Sequence, residues 1–199
     1  MSYEIPSQPH NALLEVKKSQ FHAFAGFADS REAAMQWLDS ARTKYPDARH
    51  HCWAYLLGSP KMPRSVAMSD DGEPSGTAGK PILNVLQHND IGDVVIIVSR
   101  YFGGVKLGAG GLVRAYSGAA KQVLDTLPTT TLVPKAKFQV TSEFKHEQYI
   151  RHWVDQHGGT VGECRYTNDV ILNTELPISS ADDFSTMCAS LNIRVQEQR

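Results

Sequence analysis

Side chains alternate in character early in the chain, and the alternation predicts a strand. Phe21, Ala23, Ala25 and Phe27 would share one face, while His22, Phe24 and Gly26 take the other. Before it, residues 1–11 hold two prolines and few apolar side chains, which predicts an irregular lead-in. Lys17 and Lys18 read as solvated charge within the strand segment. The period then lengthens. Ala33, Ala34, Trp37, Leu38, Ala41 and Tyr45 recur at helical spacing, opened by Asp29 and Glu32 as a capping box and ended by Pro46. Residues 48–57 predict an aromatic-rich strand, followed by a loop at Gly58, Pro60 and Pro63. Thr77 is a candidate N-cap for a short helix that has Pro81 in its first turn and carries Ile82, Leu83, Val85 and Leu86. Residues 94–98 are uninterrupted Val and Ile, as expected for a central strand buried on both faces.

A long apolar stripe follows: Leu112, Val113, Tyr116, Ala119, Ala120, Val123, Leu124 and Leu127. Pro128 breaks it. Thr129, Thr130, Thr131 and Pro134 read as a linker, which divides the chain into an N-terminal domain (1–130) and a C-terminal domain (131–199). The second part begins with a strand over 135–142, then a helix with Tyr149, Ile150, Trp153 and Val154 that stops at Gly158 and Gly159. A hairpin turns at 167–169, with Val170, Leu172, Thr174 and Leu176 on one face. Ser179 or Ser180 can cap a last helix carrying Phe184, Met187, Cys188 and Leu191, and Ile193 and Val195 finish a strand. The order βαββαβ is that of a ferredoxin-like split-βαβ sandwich, so the expected class is α+β throughout.

Composition narrows the setting. With 41% hydrophobic and 21% charged residues the chain can bury an ordinary core. It has no run of about 18 apolar residues, and its first residues lack the basic and apolar regions of a signal peptide. The expectation is a cytoplasmic protein without a membrane partner. Cys52, Cys164 and Cys188 are odd in number and scattered, which argues for reduced thiols. A net charge of −1 gives no basic excess, so any nucleic-acid contact must come from a local patch.

The chemistry concentrates in residues 69–116, where two glycine clusters each lead into a helical pattern. In the first, Asp70, Asp71 and Glu73 can bind a cation, form a partner surface, or simply cap their own turn. The ligand spacing of a calcium loop is missing. The segment from Gly76 to Lys80 fails as a phosphate loop, because Pro74 and Pro81 occupy the places of a glycine and a hydroxyl residue. Helix-start amides with Lys80 nearby can still hold an anion. In the second cluster, Gly108, Gly110 and Gly111 expose amides at a helix start, close in sequence to Arg100, Lys106 and Arg114. Tyr101 and Phe102 offer stacking surfaces. Tight packing of this turn against the first cluster is the alternative. The spacing is not that of a dinucleotide fold, so no cofactor is expected. Arg49, His50, His51 and Cys52 supply too few ligands for a zinc site. A His50–Cys52 nucleophile pair is geometrically available; a core Cys52, with one histidine bonded to the acidic turn, competes with it.

Three stretches in fixed order, 47–52, 69–81 and 100–116, resemble the IMPACT family, and the whole chain resembles its bacterial two-domain, YigZ-type branch. The resemblance implies an N-terminal α+β domain of the kind in a small-subunit ribosomal protein and a late domain of elongation factor G, followed by a ferredoxin-like domain. Eukaryotic members regulate translation initiation through protein contact with a kinase-activation pathway. Their accessory domain has no counterpart here, so that partner is not carried over. The leading expectation is a non-enzymatic, translation-associated protein that binds RNA or ribosome-associated factors. Lys80, Arg100, Lys106, Gly108, Gly110, Gly111 and Arg114 would meet anions; His50, Asp70, Asp71, Glu73 and Tyr101 would face a partner or ligand. Two rivals stand beside it: an enzyme acting on a phosphorylated or nucleotide-like small molecule, with Asp70, Asp71 or His50 as base, and a pure protein–protein adaptor.

Overall fold

The β-branched run takes the middle of a sheet. In the structure, a computed structural model describing residues 2–198, strand β6 (Val94–Tyr101) lies between β3 (Ser19–Phe27) and β4 (His50–Ser59). Strands β2 (His10–Val16) and β5 (Met62–Ser69) complete the order β2-β3-β6-β4-β5, antiparallel at every step. Val94, Ile96 and Val98 point into one core and Val95 and Ile97 into another, so β6 is buried on both faces as its composition requires. Helix α1 (Arg31–Lys44) packs on one side through Ala34, Leu38 and Ala41. Helices α2 (Gly79–Gln87) and α3 (Gly108–Asp125) pack on the other, around Phe21, Ile82, Leu86, Leu112 and Tyr116. Burying a side chain the size of Phe21 contributes about 1.5–3 kcal/mol.

Several local expectations are corrected. The lead-in is ordered: strand β1 (Tyr3–Pro6) pairs with β7 (Thr129–Leu132), so the threonines expected as a linker are strand. Lys17 and Lys18 form the two-residue turn between β2 and β3, with φ of 47° and 65°, the sign a tight hairpin demands. Residues 62–69, where only Pro63 was placed, as part of a loop, form an edge strand, a position that tolerates proline in a sheet. Ser30, not Asp29, caps α1, its Oγ accepting from the Ala33 N–H at 3.2 Å. Val113 and Phe27 are exposed.

The chain divides into two compact units, Tyr3–Leu132 and a second that begins at Val133. In the second, β8 (Lys135–Ser142), β9 (Thr160–Tyr166), β10 (Val170–Pro177) and β11 (Arg194–Gln198) form an antiparallel sheet in the order β11-β8-β10-β9. Helices α4 (Glu147–Gln156) and α5 (Ala181–Ser190) supply Ile150, Val154, Phe184 and Cys188 to its core. Val170, Leu172, Thr174 and Leu176 are all buried on one face of β10. Neither Ser179 nor Ser180 caps α5 with its side chain. Among the described residues no helix is long and apolar enough to cross a membrane.

Candidate functional site: a cleft at the start of helix α3

Asp70 explains why the first glycine cluster folds as it does. Its carboxylate accepts from the N–H groups of Gly76 (2.8 Å), Ala78 (3.0 Å) and Gly79 (2.8 Å). It therefore caps α2 from outside the helix, the role expected of Thr77. The Thr77 hydroxyl donates to the Pro74 carbonyl instead. Burial alone would raise the Asp70 carboxyl, but the amides of Gly76, Gly79 and Ala78 outweigh it and hold it below its ordinary value. Asp71, at φ 41°, accepts from the His51 N–H at 2.7 Å through Oδ2, and its carbonyl accepts from His50 Nδ1 at 2.8 Å. The two aspartates expected as partner surface or as a base are spent on backbone N–H groups, Asp70 within its own cluster and Asp71 on β4.

Glu73 and Arg100, expected as separate surface groups, are paired and mostly buried. Arg100 Nη1 donates to Glu73 Oε1 at 2.6 Å, with side chains 8% and 4% exposed. The Tyr116 hydroxyl donates to the same oxygen at 2.8 Å, and the Cys52 thiol, whose single S–H donates to the Asp70 carbonyl at 3.0 Å, lies 3.4 Å from the Tyr116 hydroxyl. Cys52 is fully buried, which pushes its thiol far above its ordinary value, and His50 Nδ1 is turned to the Asp71 carbonyl, so both observations oppose the His50–Cys52 nucleophile reading. The guanidinium of Arg100 also lies 5.6 Å from the ring centres of both Phe21 and Phe102.

Over this buried chain lies a cleft of about 380 Å³. One wall comes from the first cluster through Glu73 and Pro74, with Arg49 and His50 from the start of β4; the other comes from Phe102 and the segment from Lys106 to Ala109, with Leu112. The two glycine clusters thus share a concavity. Three cations (Arg49, Arg100, Lys106) face one carboxylate, and that carboxylate is already paired with Arg100, so the cleft carries a positive excess. Helix α3 begins here with no side-chain cap and no acid in its first turn, which leaves the Gly108 end able to attract negative charge. Gly108 sits at φ 71°, a left-handed geometry that glycine takes without strain.

The other expected residues lie elsewhere. Gly111 and Arg114 line a separate recess with Lys17 and Leu14, and Gly110 lies in the first turn of α3 outside the cleft lining. Lys80 is exposed at the start of α2 and also lines no part of the cleft. Tyr101 follows Arg100 on the strand and so faces the opposite side, edge-on to His22 and Tyr45. Arg49 and Pro74 were not singled out as site residues; Arg49 directly precedes β4 and Pro74 lies in the acidic turn, and no sequence pattern marks either as lining a cleft. Among the described residues no group of three or more His, Cys, Asp or Glu side chains is placed to hold a metal.

Comparison with known proteins falls on this same segment. The model of the Impact N-terminal domain matches residues 17–124, which contain every lining residue of the cleft. The Escherichia coli (strain K12) protein named IMPACT family member YigZ is 37% identical over 191 residues, covering 96% of this chain and 94% of its own. A Saccharomyces cerevisiae protein named Protein IMPACT homolog is 31% identical over 114 residues, 53% of this chain and 43% of its own. A crystal structure of a protein described as hypothetical matches with a TM-score of 0.72 and 35% identity, covering 98% of this chain and 96% of that one.

Proposed function

The chain belongs to the IMPACT family, and from that membership we propose that it is a translation-associated binding protein whose N-terminal unit holds anionic RNA in the cleft beside α3. The reading rests on the charge of that cleft. Arg49 and Lys106 line it, and neither takes part in an ion pair among the described residues. Phosphate would meet them together with the uncapped amides of α3, and Phe102, 53% exposed, offers a face to a base. The overall charge of −1 does not oppose this, because the excess is local.

Two architectural readings go with it. The N-terminal unit is taken as an α/β sandwich of the ribosomal-protein and elongation-factor type. The C-terminal unit is taken as ferredoxin-like, supported by its βαββαβ order and by a sheet whose first-laid strand, β8, is flanked by β11 and β10.

An enzyme of phosphorylated small molecules is the weaker reading, since Asp70, Asp71 and Glu73 are all engaged and His50 alone remains as a base in the cleft. The deciding experiment is a titration of purified full-length protein with structured RNA across a salt series. Binding that weakens steeply with salt supports the proposal; absent or salt-insensitive binding overturns it. A protein partner that survives nuclease treatment in its place would mark an adaptor.

A further inference from the structure

The walls of the cleft say more about its ligand than its charge does. Pro74, Phe102, Leu107 and Leu112 make them largely apolar, and the cations among them are only three, Arg49, Arg100 and Lys106. A groove tracking a long backbone would spread its cations along the path. A compact, partly apolar concavity with a few convergent polar groups fits a single small unit, and about 380 Å³ lies within the range of such sites. We propose that the cleft is a mononucleotide site, taking a flat ring against Phe102 and a phosphate monoester between Lys106, Arg100 and the first amides of α3. This rests on the reading that the cleft binds an anion, and it names the ligand.

Two independent features ask for an acceptor at that point. The first is α3 itself, an 18-residue helix with no cap and no acidic residue in its first turn, whose Gly108 and Ala109 line the cleft. The second is Arg100. Its side chain is 8% exposed and lines the cleft, yet among the described residues its side chain makes one hydrogen bond, from Nη1 to Glu73, and its Nε–H has no acceptor. A buried donor left unmet is costly, and a fork of parallel N–H groups suits phosphate oxygens. The unpaired charges of Arg49 and Lys106 match a monoester, which carries nearly two negative charges near neutral pH, better than the single charge of a backbone diester.

The same chemistry can come from a free nucleotide or from the phosphorylated end of an RNA strand. Titrations of the full-length protein separate them, using inorganic phosphate, adenosine 5′-monophosphate, and a short RNA with either a 5′-phosphate or a 5′-hydroxyl. The nucleotide should bind about tenfold more tightly than inorganic phosphate, the increment expected of one stacked base. Phe102→Ala should remove that advantage and leave phosphate binding intact, while Lys106→Gln weakens both; circular dichroism confirms that each variant folds. Preference for the free nucleotide, with no discrimination between the RNAs, identifies a small-molecule ligand. Preference for the 5′-phosphorylated RNA by about tenfold identifies a strand end. RNA binding that ignores the 5′ group, with no nucleotide binding, overturns this proposal but leaves the RNA reading standing. Nucleotide binding without any RNA binding does the reverse. Binding of none of the probes ends both.

Discussion

Arg100 and Glu73 lie 27 residues apart and form a buried ion pair of 2.6 Å at the floor of the cleft. Tyr116, on α3, closes on the same carboxylate oxygen, so one acid ties β6, the acidic turn and the third helix together. Removing one partner of such a pair strands the other charge in a medium that solvates it poorly. Glu73→Ala should therefore destabilise the N-terminal unit by about 3–5 kcal/mol. Tyr116→Phe, which removes only a hydroxyl donor, should cost roughly 1 kcal/mol. Amide exchange along β6 under native conditions reads the loss directly, because those protons exchange through global opening of the unit. Equal protection in wild type and Glu73→Ala would show that the pair contributes little.

Asp70 gives the same unit an acid sensitivity of definite sign. Its folded carboxyl sits below the ordinary value of 3.8, so its three amide bonds stabilise the fold above that value and are lost as pH falls through the lowered folded one. Asp70→Asn should be less stable than wild type at neutral pH, and the gap should narrow below pH 3.8. Urea midpoints for both proteins across that range test it. A gap that stays constant would contradict the capping role.

Thiol chemistry should follow burial. Cys52 and Cys188 are buried and Cys164 is partly exposed. Burial pushes Cys188 up to about 11 and Cys52 further in the same direction. An aromatic disulfide reagent should modify Cys164 rapidly in the native protein and reach the other two only on unfolding. Fast native labelling of Cys52, located by peptide mapping, would contradict its place beneath the acidic turn.

What could be read from residues alone was what depends on near neighbours. The β-branched run gave away β6, the stripe from Leu112 to Leu127 gave away α3, and the alternation from Val170 to Leu176 gave away β10. Each signal is local and repeats along one element. The pairing of β1 with β7 was not legible, because it joins segments more than 120 residues apart, and three of the four positions of β7 are threonine. Glu73 was misread for a related reason. A carboxylate beside Asp70 and Asp71 looks like surface until Arg100 and Tyr116 arrive from 27 and 43 residues away. Lys80, Arg100, Lys106 and Arg114 are close in sequence, yet only Arg100 and Lys106 line the cleft. Strand alternation and helix rotation decide that, and a charge count does not see them.

The central claim, that unpaired cations of the cleft hold RNA phosphate, is tested most directly by the salt dependence of RNA binding in Lys106→Gln. The slope of log affinity against log salt should fall in magnitude by roughly 1 relative to wild type, with weaker binding, while Lys61→Gln, outside the cleft, keeps the wild-type slope. An unchanged slope in Lys106→Gln would contradict the account.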